Sequence, residues 1–461
     1  MNRADDVYMR DSDAFAWNLE ADPLLRSTVV SVLVFDRALD LERLYDRLER
    51  ATRMAPGFRH CVVQAPLHLG NPRWVLDHDF DPRFHVRRIA APAPGTVASV
   101  LEYACQTGMT AFDRDRPLWE LTLVGGVEGG RTAAILKMHH SLTDGIGGMD
   151  MAKYLFDLEP EAADLGPLPE APAADALSTW ALARDAARFD AGRVARVAGG
   201  LLRATGPAIA RTVRHPRRSI GAGVDLVRSV VRTVEPLTDT LSPVMQDRRR
   251  AWRYDTMTVS LDGLREAARR HDLTLNDAFL GALTGGLRRY HARHDAQVDE
   301  LRVTMPISIR LPDDPVGGNR ITLMRFKVPV GLADPVARMR VIHDTCLTAR
   351  HEPAVPYTNA IAFGTNFMPR SALGAMLKHV DFLASNVPGI GVPMYLAGAR
   401  VTEWYAFGPT LGAAFNATLV SYDGRCSVGL NVDTGAVPDP EVLRDCLREG
   451  FDEILAVATR G

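Results

Sequence analysis

Two adjacent histidines begin a short polar segment, residues 139–145, whose sequence is HHSLTDG. Histidine has an ordinary pKa of about 6.5, so much of it is unprotonated at neutral pH and can accept a proton. An alcohol that attacks a thioester loses its proton as the carbon–oxygen bond forms, and the carbonyl oxygen becomes an oxyanion that requires hydrogen-bond donors. The segment is therefore suited to general-base chemistry, and direct acyl transfer to a hydroxyl is one such reaction, which requires neither a metal ion nor a covalent enzyme intermediate.

The backbone around the histidines predicts a different role for each of them. The strand-like run Ala133–Leu136 precedes them, and neighbouring residues of a strand point to opposite faces. One histidine can then face a channel while the other packs into supporting structure. Asp144 follows the strand end, where its carboxylate can hold local backbone or an arginine, and Gly145 permits a sharp turn that a Cβ would forbid. The alternative is that both histidines are satisfied core or turn residues.

Other chemistries fit this sequence less well. Zinc sites favour histidines four residues apart or ligands that converge, whereas adjacent strand histidines diverge. The sequence has no GxSxG elbow, so we interpret Ser141 as a turn residue, and the glycine cluster at 145–148 lacks the spacing and the lysine of a phosphate-binding loop. We expect neither a metal nor a cofactor. The cysteines form no CxxC pair and are interpreted as reduced core residues: Cys61, Cys105, Cys346, Cys426 and Cys446.

The composition is that of an ordinary globular protein. A chain of 461 residues exceeds what one hydrophobic core usually organises, so we expect two domains. With 46% hydrophobic and 24% charged residues and a formal net charge of −2, the chain fits neither a disordered protein nor a nucleic-acid-binding one. The acidic N-terminus and the lack of a bilayer-spanning apolar stretch predict a cytoplasmic protein whose membrane contact is peripheral.

The order of strand-like and helix-like runs predicts an α/β (α+β) protein in three parts. Residues 1–158 form an N-terminal domain that carries the HHxxxDG motif, residues 159–250 form a Pro/Ala linker and two or three helices, and residues 251–461 form a C-terminal domain. We expect a hairpin turn at Asp423-Gly424. The predicted helices cover 41–54, 149–158 and 276–291, and the predicted strands cover 29–35, 121–124, 133–138, 256–261, 303–309, 322–330, 415–421 and 426–432.

A series of motifs along the chain resembles the wax ester synthase/diacylglycerol acyltransferase family. HHxxxDG alone would identify only the wider superfamily, which includes chloramphenicol acetyltransferase, carnitine acyltransferases and peptide synthetase condensation domains. The accompanying motifs follow in the family's order over nearly the whole chain: FDRD at 112–115 with PLWE at 117–120, LNDA at 275–278, MPISIR at 305–310 with GGN at 317–319, SNVPG at 385–389, YLAGAR at 395–400 and SYDG at 421–424.

The resemblance implies a fold and an activity. The fold would be two chloramphenicol acetyltransferase-like domains with a channel between them and a helical connecting segment. Acyl-CoA, as a co-substrate, would enter from one side and a lipid alcohol from the other. The enzyme would then transfer a long-chain acyl group to diacylglycerol, giving triacylglycerol, or to a fatty alcohol, giving a wax ester.

The resemblance also implies roles for the residues of the first motif. His140 would be the general base that takes the proton of the acceptor hydroxyl. His139 would support His140, and Asp144 would order the loop. Arg310 would pair with Asp144 or lie solvated at a strand end. Trp119 is most simply a core residue.

Three residues in the second half of the chain are also assigned roles. Asn276 and Asn386 each have two possible roles, and Asp277 has a supporting one. Asn276 would donate a hydrogen bond to the thioester oxyanion or cap the helix that it begins. Asp277 is expected to act as a helix-terminus carboxylate. Asn386 would line the channel or form a turn in its Pro-Gly loop, and the turn is favoured.

An arginine-rich stretch lies in the middle of the chain. Between residues 191 and 224 it has no acidic residue, and apolar positions alternate with the arginines at helical spacing. Such helices can lie in an anionic membrane interface or on a lipid droplet, or they can pack their apolar faces on the protein. The arginines are Arg193, Arg196, Arg203, Arg211, Arg214, Arg217 and Arg218.

Two alternative functions stay open at this point. An enzyme of the same fold could use a carrier-protein thioester or a specialised hydroxylated acceptor. A non-catalytic protein could bind lipid surfaces through its arginines. The chain departs from the family pattern at Pro23–Ser27, where a histidine-containing segment is usual, and at 390–392, where a second proline is expected.

Overall fold

The computed structural model describes residues 7–65, 71–142, 152–161, 165–172, 180, 183–192, 195, 237–308, 321–352, 361, 364, 374 and 377–459. Its main helices are α1 (Asp11–Leu19), α2 (Leu41–Met54), α3 (Pro82–His85), α4 (Val97–Met109), α5 (Leu261–Arg269), α6 (Leu275–Arg293), α7 (Pro335–Arg350) and α8 (Pro440–Thr459). Its strands are β1 (Thr28–Phe35), β2 (His60–Val63), β3 (Arg73–Leu76), β4 (Val86–Ala90), β5 (Trp119–Val127), β6 (Arg131–His139), β7 (Trp252–Ser260), β8 (Glu300–Ser308), β9 (Ile321–Pro329), β10 (Phe382–Val387), β11 (Tyr395–Leu396), β12 (Ala399–Phe407), β13 (Phe415–Tyr422) and β14 (Arg425–Asp433).

The first sheet has the strand order β11-β12-β1-β6-β5-β4, so β1 and β6 are central. Helix α2 begins after Asp40, whose side chain accepts a backbone N–H of the first turn. Its apolar stripe, which includes Leu44, packs on the sheet face that carries Leu33. The opposite face, with Val32 and Ile135, packs against α4. The two faces of β6 therefore pack in two different hydrophobic cores.

The second sheet has the order β7-β14-β13-β10-β8-β9, and α5, α6 and α8 share its hydrophobic core. Helices α6 and α8 approach each other closely because Gly450 has no side chain. A Cβ at Gly450 would lie 2.2 Å from the carbonyl oxygen of Ala282. The second half of the chain thus forms a tightly packed layer of helices on a mixed sheet.

The two sheets do not follow the predicted division of the sequence into residues 1–158 and 251–461. Strands β11 and β12 come from the second half of the chain, yet β12 pairs antiparallel with β1 in the first sheet. The rings of Tyr254 on β7 and Phe407 on β12 stack with centroids 4.0 Å apart. Gly429 on β14 lets β12 come close, since a Cβ there would lie 2.1 Å from the Ala406 carbonyl oxygen. The strand crossover and this packing join the two halves.

The start of the predicted linker lies along α2. The buried carboxylate of Asp157 binds two arginines of that helix, and three of the four α2 arginines also donate to linker carbonyls. The α2 arginines are Arg43, Arg47, Arg50 and Arg53. Their hydrogen bonds run from Arg43 to Asp157 (2.6 Å) and Pro160 (2.9 Å), from Arg47 to Asp157, from Arg50 to Leu165 (3.1 Å) and Gly166 (2.6 Å), and from Arg53 to Pro169 (2.6 Å).

Most predicted elements have an observed counterpart. The predicted helix at 41–54 coincides with α2, each predicted strand overlaps an observed one, and the hairpin turn is formed by Asp423 (φ +45°) and Gly424 (φ +76°). Of the part expected to hold two or three helices, 159–250, residues 183–192 are helical and Arg193–Arg218 lie almost wholly outside the described residues. None of the described helices is long and apolar enough to cross a membrane.

Candidate active site

The two adjacent histidines lie at the end of β6, in the centre of the first sheet. The His139 N–H donates to the Leu118 carbonyl (3.0 Å) and the His140 N–H donates to the Ser27 carbonyl (2.8 Å), so the antiparallel ladder continues one residue past the strand. Strand alternation then directs His139 to the face of Ile135 and His140 to the face of Met138. His139 is fully buried and His140 is half-buried. This is the division between the two histidines that the alternation predicts.

His139 is held by the residue that follows His140. The Ser141 backbone N–H donates to His139 Nδ1 (3.1 Å), and the Ser141 hydroxyl lies 2.6 Å from the same nitrogen. Because Nδ1 accepts a hydrogen bond, the ring proton of neutral His139 belongs on Nε2. The rings of Trp17 and Phe112 pack edge-on against the imidazole, with centroid–centroid distances of 5.7 and 6.1 Å. These contacts fix the ring of His139 and, through Ser141, the turn that contains His140.

A buried carboxylate that the sequence reasoning missed lies beside His139. Glu20, only 7% exposed, follows α1, and its Oε2 accepts the Ser27 N–H (3.1 Å) and lies 3.4 Å from His139 Nε2. Arg26 Nε is 3.7 Å from Glu20 Oε1. Arg26 belongs to the segment at which the chain departs from the family pattern, and that departure is the only sequence signal near this cluster.

Lys137 is a second buried charged residue on the His139 face. Its ammonium donates to Thr110 Oγ1 (3.0 Å), lies 3.7 Å from the Glu120 carboxylate and sits 4.2 Å from the centroid of the Phe112 ring. Burial lowers the pKa of the Lys137 ammonium, and the nearby Glu120 partly offsets that effect. On this face of β6, the hydrophobic core around Ile135 is therefore followed by charged and polar groups at the end that carries His139.

The side of the sheet that carries His140 is apolar and partly accessible. Leu136 and Met138 on β6, Ser31 on β1 and Trp404 on β12 share this face and are half-buried. Trp404 Nε1 donates a hydrogen bond to Ser31 Oγ (2.7 Å), so the indole N–H and the serine hydroxyl pair with each other. We call these four residues the apolar wall. It offers accessible hydrophobic surface on the same side as His140.

The structure corrects one reading of Asn276. The N-cap of α6 is Thr274, whose hydroxyl accepts the Asp277 N–H, so Asn276 does not cap the helix. The Asp277 carboxylate completes a capping box by accepting the Thr274 N–H (2.8 Å), and it also binds His343 Nδ1 (2.9 Å). Asn276 is half-buried at the second helical position, with its amide nitrogen 4.0 Å from Cys346 Sγ.

The structure also corrects the turn that was favoured for Asn386. This residue lies within β10, half-buried, and pairs with Leu419 of the parallel strand β13.

Trp119 is 2% exposed and donates from Nε1 to the Phe58 carbonyl (2.9 Å), as expected for a core residue.

Several predicted site residues lie outside the described residues, and their roles stay predictions. They are Asp144, Gly145, Arg310 and the arginines Arg193, Arg196, Arg203, Arg211, Arg214, Arg217 and Arg218. Within the described part of the chain, no group of three or more His, Cys, Asp or Glu side chains is arranged to hold a metal ion.

Comparisons with known proteins cover both halves of the chain. The sequence profile of the wax ester synthase/diacylglycerol acyltransferase catalytic domain matches residues 9–279, and that of the WS/DGAT C-terminal domain matches residues 317–455. A candidate diacylglycerol O-acyltransferase of Mycobacterium tuberculosis H37Rv is 35% identical over 449 residues, which cover 95% of this chain and 90% of the relative. A second one from that strain is 29% identical, covering 90% and 82% of the two chains.

Solved structures share the fold at lower sequence identity. The wax ester synthase/diacylglycerol acyltransferase from Marinobacter aquaeolei VT8 superposes with a TM-score of 0.65 at 21% identity, covering 98% of this chain and all of that one. The first condensation domain of the calcium-dependent antibiotic synthetase gives a TM-score of 0.64 at 14% identity, covering 98% and 96%. The expected chloramphenicol acetyltransferase-like fold is thereby confirmed.

Proposed function

Because the chain belongs to the wax ester synthase/diacylglycerol acyltransferase family, we propose that it transfers a long-chain acyl group from acyl-CoA to a lipid hydroxyl, with His140 as the general base. The membership makes it an acyltransferase, and the family's substrates are acyl-CoA and lipid acceptors. The assignment of His140 as the general base rests on the contrast between the two adjacent histidines. His139 is buried and held by its neighbours, whereas His140 is half-buried on the side of the apolar wall.

The reaction proceeds by direct attack. The acceptor oxygen bonds to the thioester carbonyl carbon while a ring nitrogen of His140 takes the hydroxyl proton. The resulting tetrahedral intermediate collapses by breaking the carbon–sulfur bond, and the departing CoA thiolate receives the proton from the His140 imidazolium. The products are an ester and free CoA, and no covalent enzyme intermediate forms.

We assign the oxyanion donor to the Asn276 amide. Since Thr274 caps α6, the Asn276 side chain is not needed at the helix terminus. The first turn of a helix also carries a partial positive charge that favours a developing anion. Asn386, half-buried on β10, is assigned to the channel lining. Asp144 would order the histidine loop, with Arg310 as its partner.

The apolar wall supports a lipid substrate. Accessible apolar side chains next to a base are suited to an acyl chain or a lipid acceptor, because burial of each methylene stabilises binding by about 0.8 kcal/mol. The arginines between Arg193 and Arg218 would hold the enzyme at an anionic membrane surface or lipid droplet, where its substrates and products accumulate.

The test is ester formation from radiolabelled palmitoyl-CoA, with diacylglycerol and hexadecanol as parallel acceptors. We expect His140→Ala to lower turnover by about 10²- to 10⁴-fold, as loss of a general base does. His78→Ala, which removes an exposed histidine, is the matched control and should keep wild-type activity.

Three outcomes would contradict the proposal. An active His140→Ala variant would exclude His140 as the base. A folded wild-type enzyme that uses a carrier-protein thioester but not palmitoyl-CoA would assign the donor to the carrier instead, and a lipid-binding chain without turnover would support the non-catalytic alternative.

A further inference from the structure

We propose that Glu20 is a positioning residue that holds His140 in place from two sides, through Ser27 and through His139. This inference rests on the proposed role of His140 as the base. Glu20 itself is buried beside His139, so its effect on the reaction is indirect.

The first connection runs through the backbone of one residue, Ser27. Glu20 Oε2 accepts the Ser27 N–H at 3.1 Å, and the carbonyl of the same residue accepts the His140 N–H at 2.8 Å. Ser27 immediately precedes β1 and is 3% exposed, so water does not compete for these groups. A carboxylate at this point fixes the position of the Ser27 backbone, whose carbonyl accepts the hydrogen bond from the His140 N–H.

The second connection runs through the ring of His139. Since Nδ1 accepts the Ser141 N–H, the ring proton lies on Nε2, which faces Glu20 Oε2 at 3.4 Å. The contact lacks hydrogen-bond geometry, but the negative charge of the carboxylate favours a proton on Nε2 and therefore the tautomer whose Nδ1 holds Ser141. Ser141 follows His140 in the chain, so the choice of tautomer at His139 fixes the other flank of the base.

The cluster is poorly suited to a purely structural role. Glu20 Oε1, Arg26 Nε, Thr28 Oγ1 and His139 Nε2 are buried polar atoms without a hydrogen-bond partner among the described residues. Such atoms destabilise a fold, and polar groups retained at this cost are typical of functional sites. The cationic groups of Arg26 and Lys137 lie nearby, and the negative charge of the Glu20 carboxylate stabilises both of them.

The test compares Glu20→Gln and Glu20→Asp with wild type. Glutamine preserves the size of the side chain but replaces one carboxylate oxygen by an amide NH2 group, which donates hydrogen bonds. With the amide oxygen in the Oε2 position, the Ser27 N–H keeps its acceptor and the NH2 group faces Arg26. The negative charge that favours a proton on His139 Nε2 is lost, so the other tautomer becomes more populated. Glu453→Gln is the matched control, because it removes a half-buried carboxylate from the ion pairs that join α6, α7 and α8.

Two readouts separate positioning from stability. For Glu20→Gln we expect kcat to fall on the order of 10- to 100-fold with KM nearly unchanged, the effect of losing an orienting partner of a histidine. Glu20→Asp should recover part of kcat. The Glu453→Gln control should lower the melting temperature and leave kcat unchanged. The tautomer of His139 is read from a long-range ¹H–¹⁵N spectrum of histidine-labelled protein, with its signal identified by its loss in His139→Gln.

The outcomes distinguish this inference from the proposed function. A Glu20→Gln variant with wild-type kcat, or with an unchanged His139 signal, would overturn the positioning role. A fall in the kcat of Glu20→Gln that only parallels a fall in its melting temperature would also overturn the positioning role. The nitrogen spectrum is recorded without substrate, so an active His140→Ala variant would instead overturn the role of the base.

Discussion

The carboxylate of Asp157 allows a test of how the segment after the histidine motif is held. Asp157 follows the helical turn at 152–155, and its backbone pairs with Tyr395 through two hydrogen bonds of 2.8 Å. Its side chain binds Arg43 at 2.6 Å and also Arg47. The side chains of Asp157, Arg47 and Arg43 are only 5%, 8% and 18% exposed, so solvent screens these ion pairs little.

The substitution Asp157→Asn should lower the free energy of unfolding by about 3–5 kcal/mol, because breaking a buried ion pair leaves uncompensated charge. Here one carboxylate serves two guanidinium groups. Arg43 keeps its bond to the Pro160 carbonyl, which places the expected loss nearer the lower end of that range. Activity should fall as well, since the freed segment connects directly to the histidine loop.

Urea unfolding followed by tryptophan fluorescence measures the loss, with ester formation assayed in parallel. Lys327→Met is the control, because it breaks an ion pair whose side chains are 55% and 53% exposed and should cost less than about 1 kcal/mol. The double variant Arg47→Met with Asp157→Leu should regain much of the stability by replacing charge with packing. A loss below about 1 kcal/mol for Asp157→Asn would refute this reasoning, since it would mean that the pair is effectively solvated.

Two further predictions concern substrate selection and pH. Met138→Trp fills space at the apolar wall and should lower kcat/KM for palmitoyl-CoA by about tenfold relative to octanoyl-CoA; equal losses for both donors would exclude the wall as a chain-binding surface. Burial lowers the pKa of His291 from its ordinary 6.5, so the unfolded chain binds the proton more tightly and stability should fall as pH drops below 6.5. The urea midpoint of His291→Gln should depend less on pH in this range, and an unchanged slope would contradict that assignment.

Features that depend on neighbouring residues could be predicted from the sequence. The bounds of α2 follow from Asp40 and the apolar spacing behind it, and the hairpin turn follows from Asp423-Gly424. The different burial of His139 and His140 follows from strand alternation alone. The capping box was also visible as a threonine at 274 and a carboxylate at 277, and this pattern would have identified the true N-cap.

Features that depend on distant residues could not be predicted. Asn386 lies in a strand because β10 pairs with β13, and the Pro-Gly sequence that follows gave a stronger local signal for a turn. Glu20 meets His139 only after β1 and β6 have paired. No local pattern distinguishes a buried carboxylate that contacts a histidine from a solvated one at the end of a helix.

The crossing of β12 into the first sheet also has a consequence for how the protein is made. During synthesis β1 and β6 leave the ribosome long before β12, and at about 5–20 residues per second the delay is on the order of tens of seconds. Throughout that interval one edge of β1 has no partner and can pair with another nascent chain. This edge is therefore a point at which misassembly can begin during synthesis, and a gene truncated before residue 399 should yield aggregated protein.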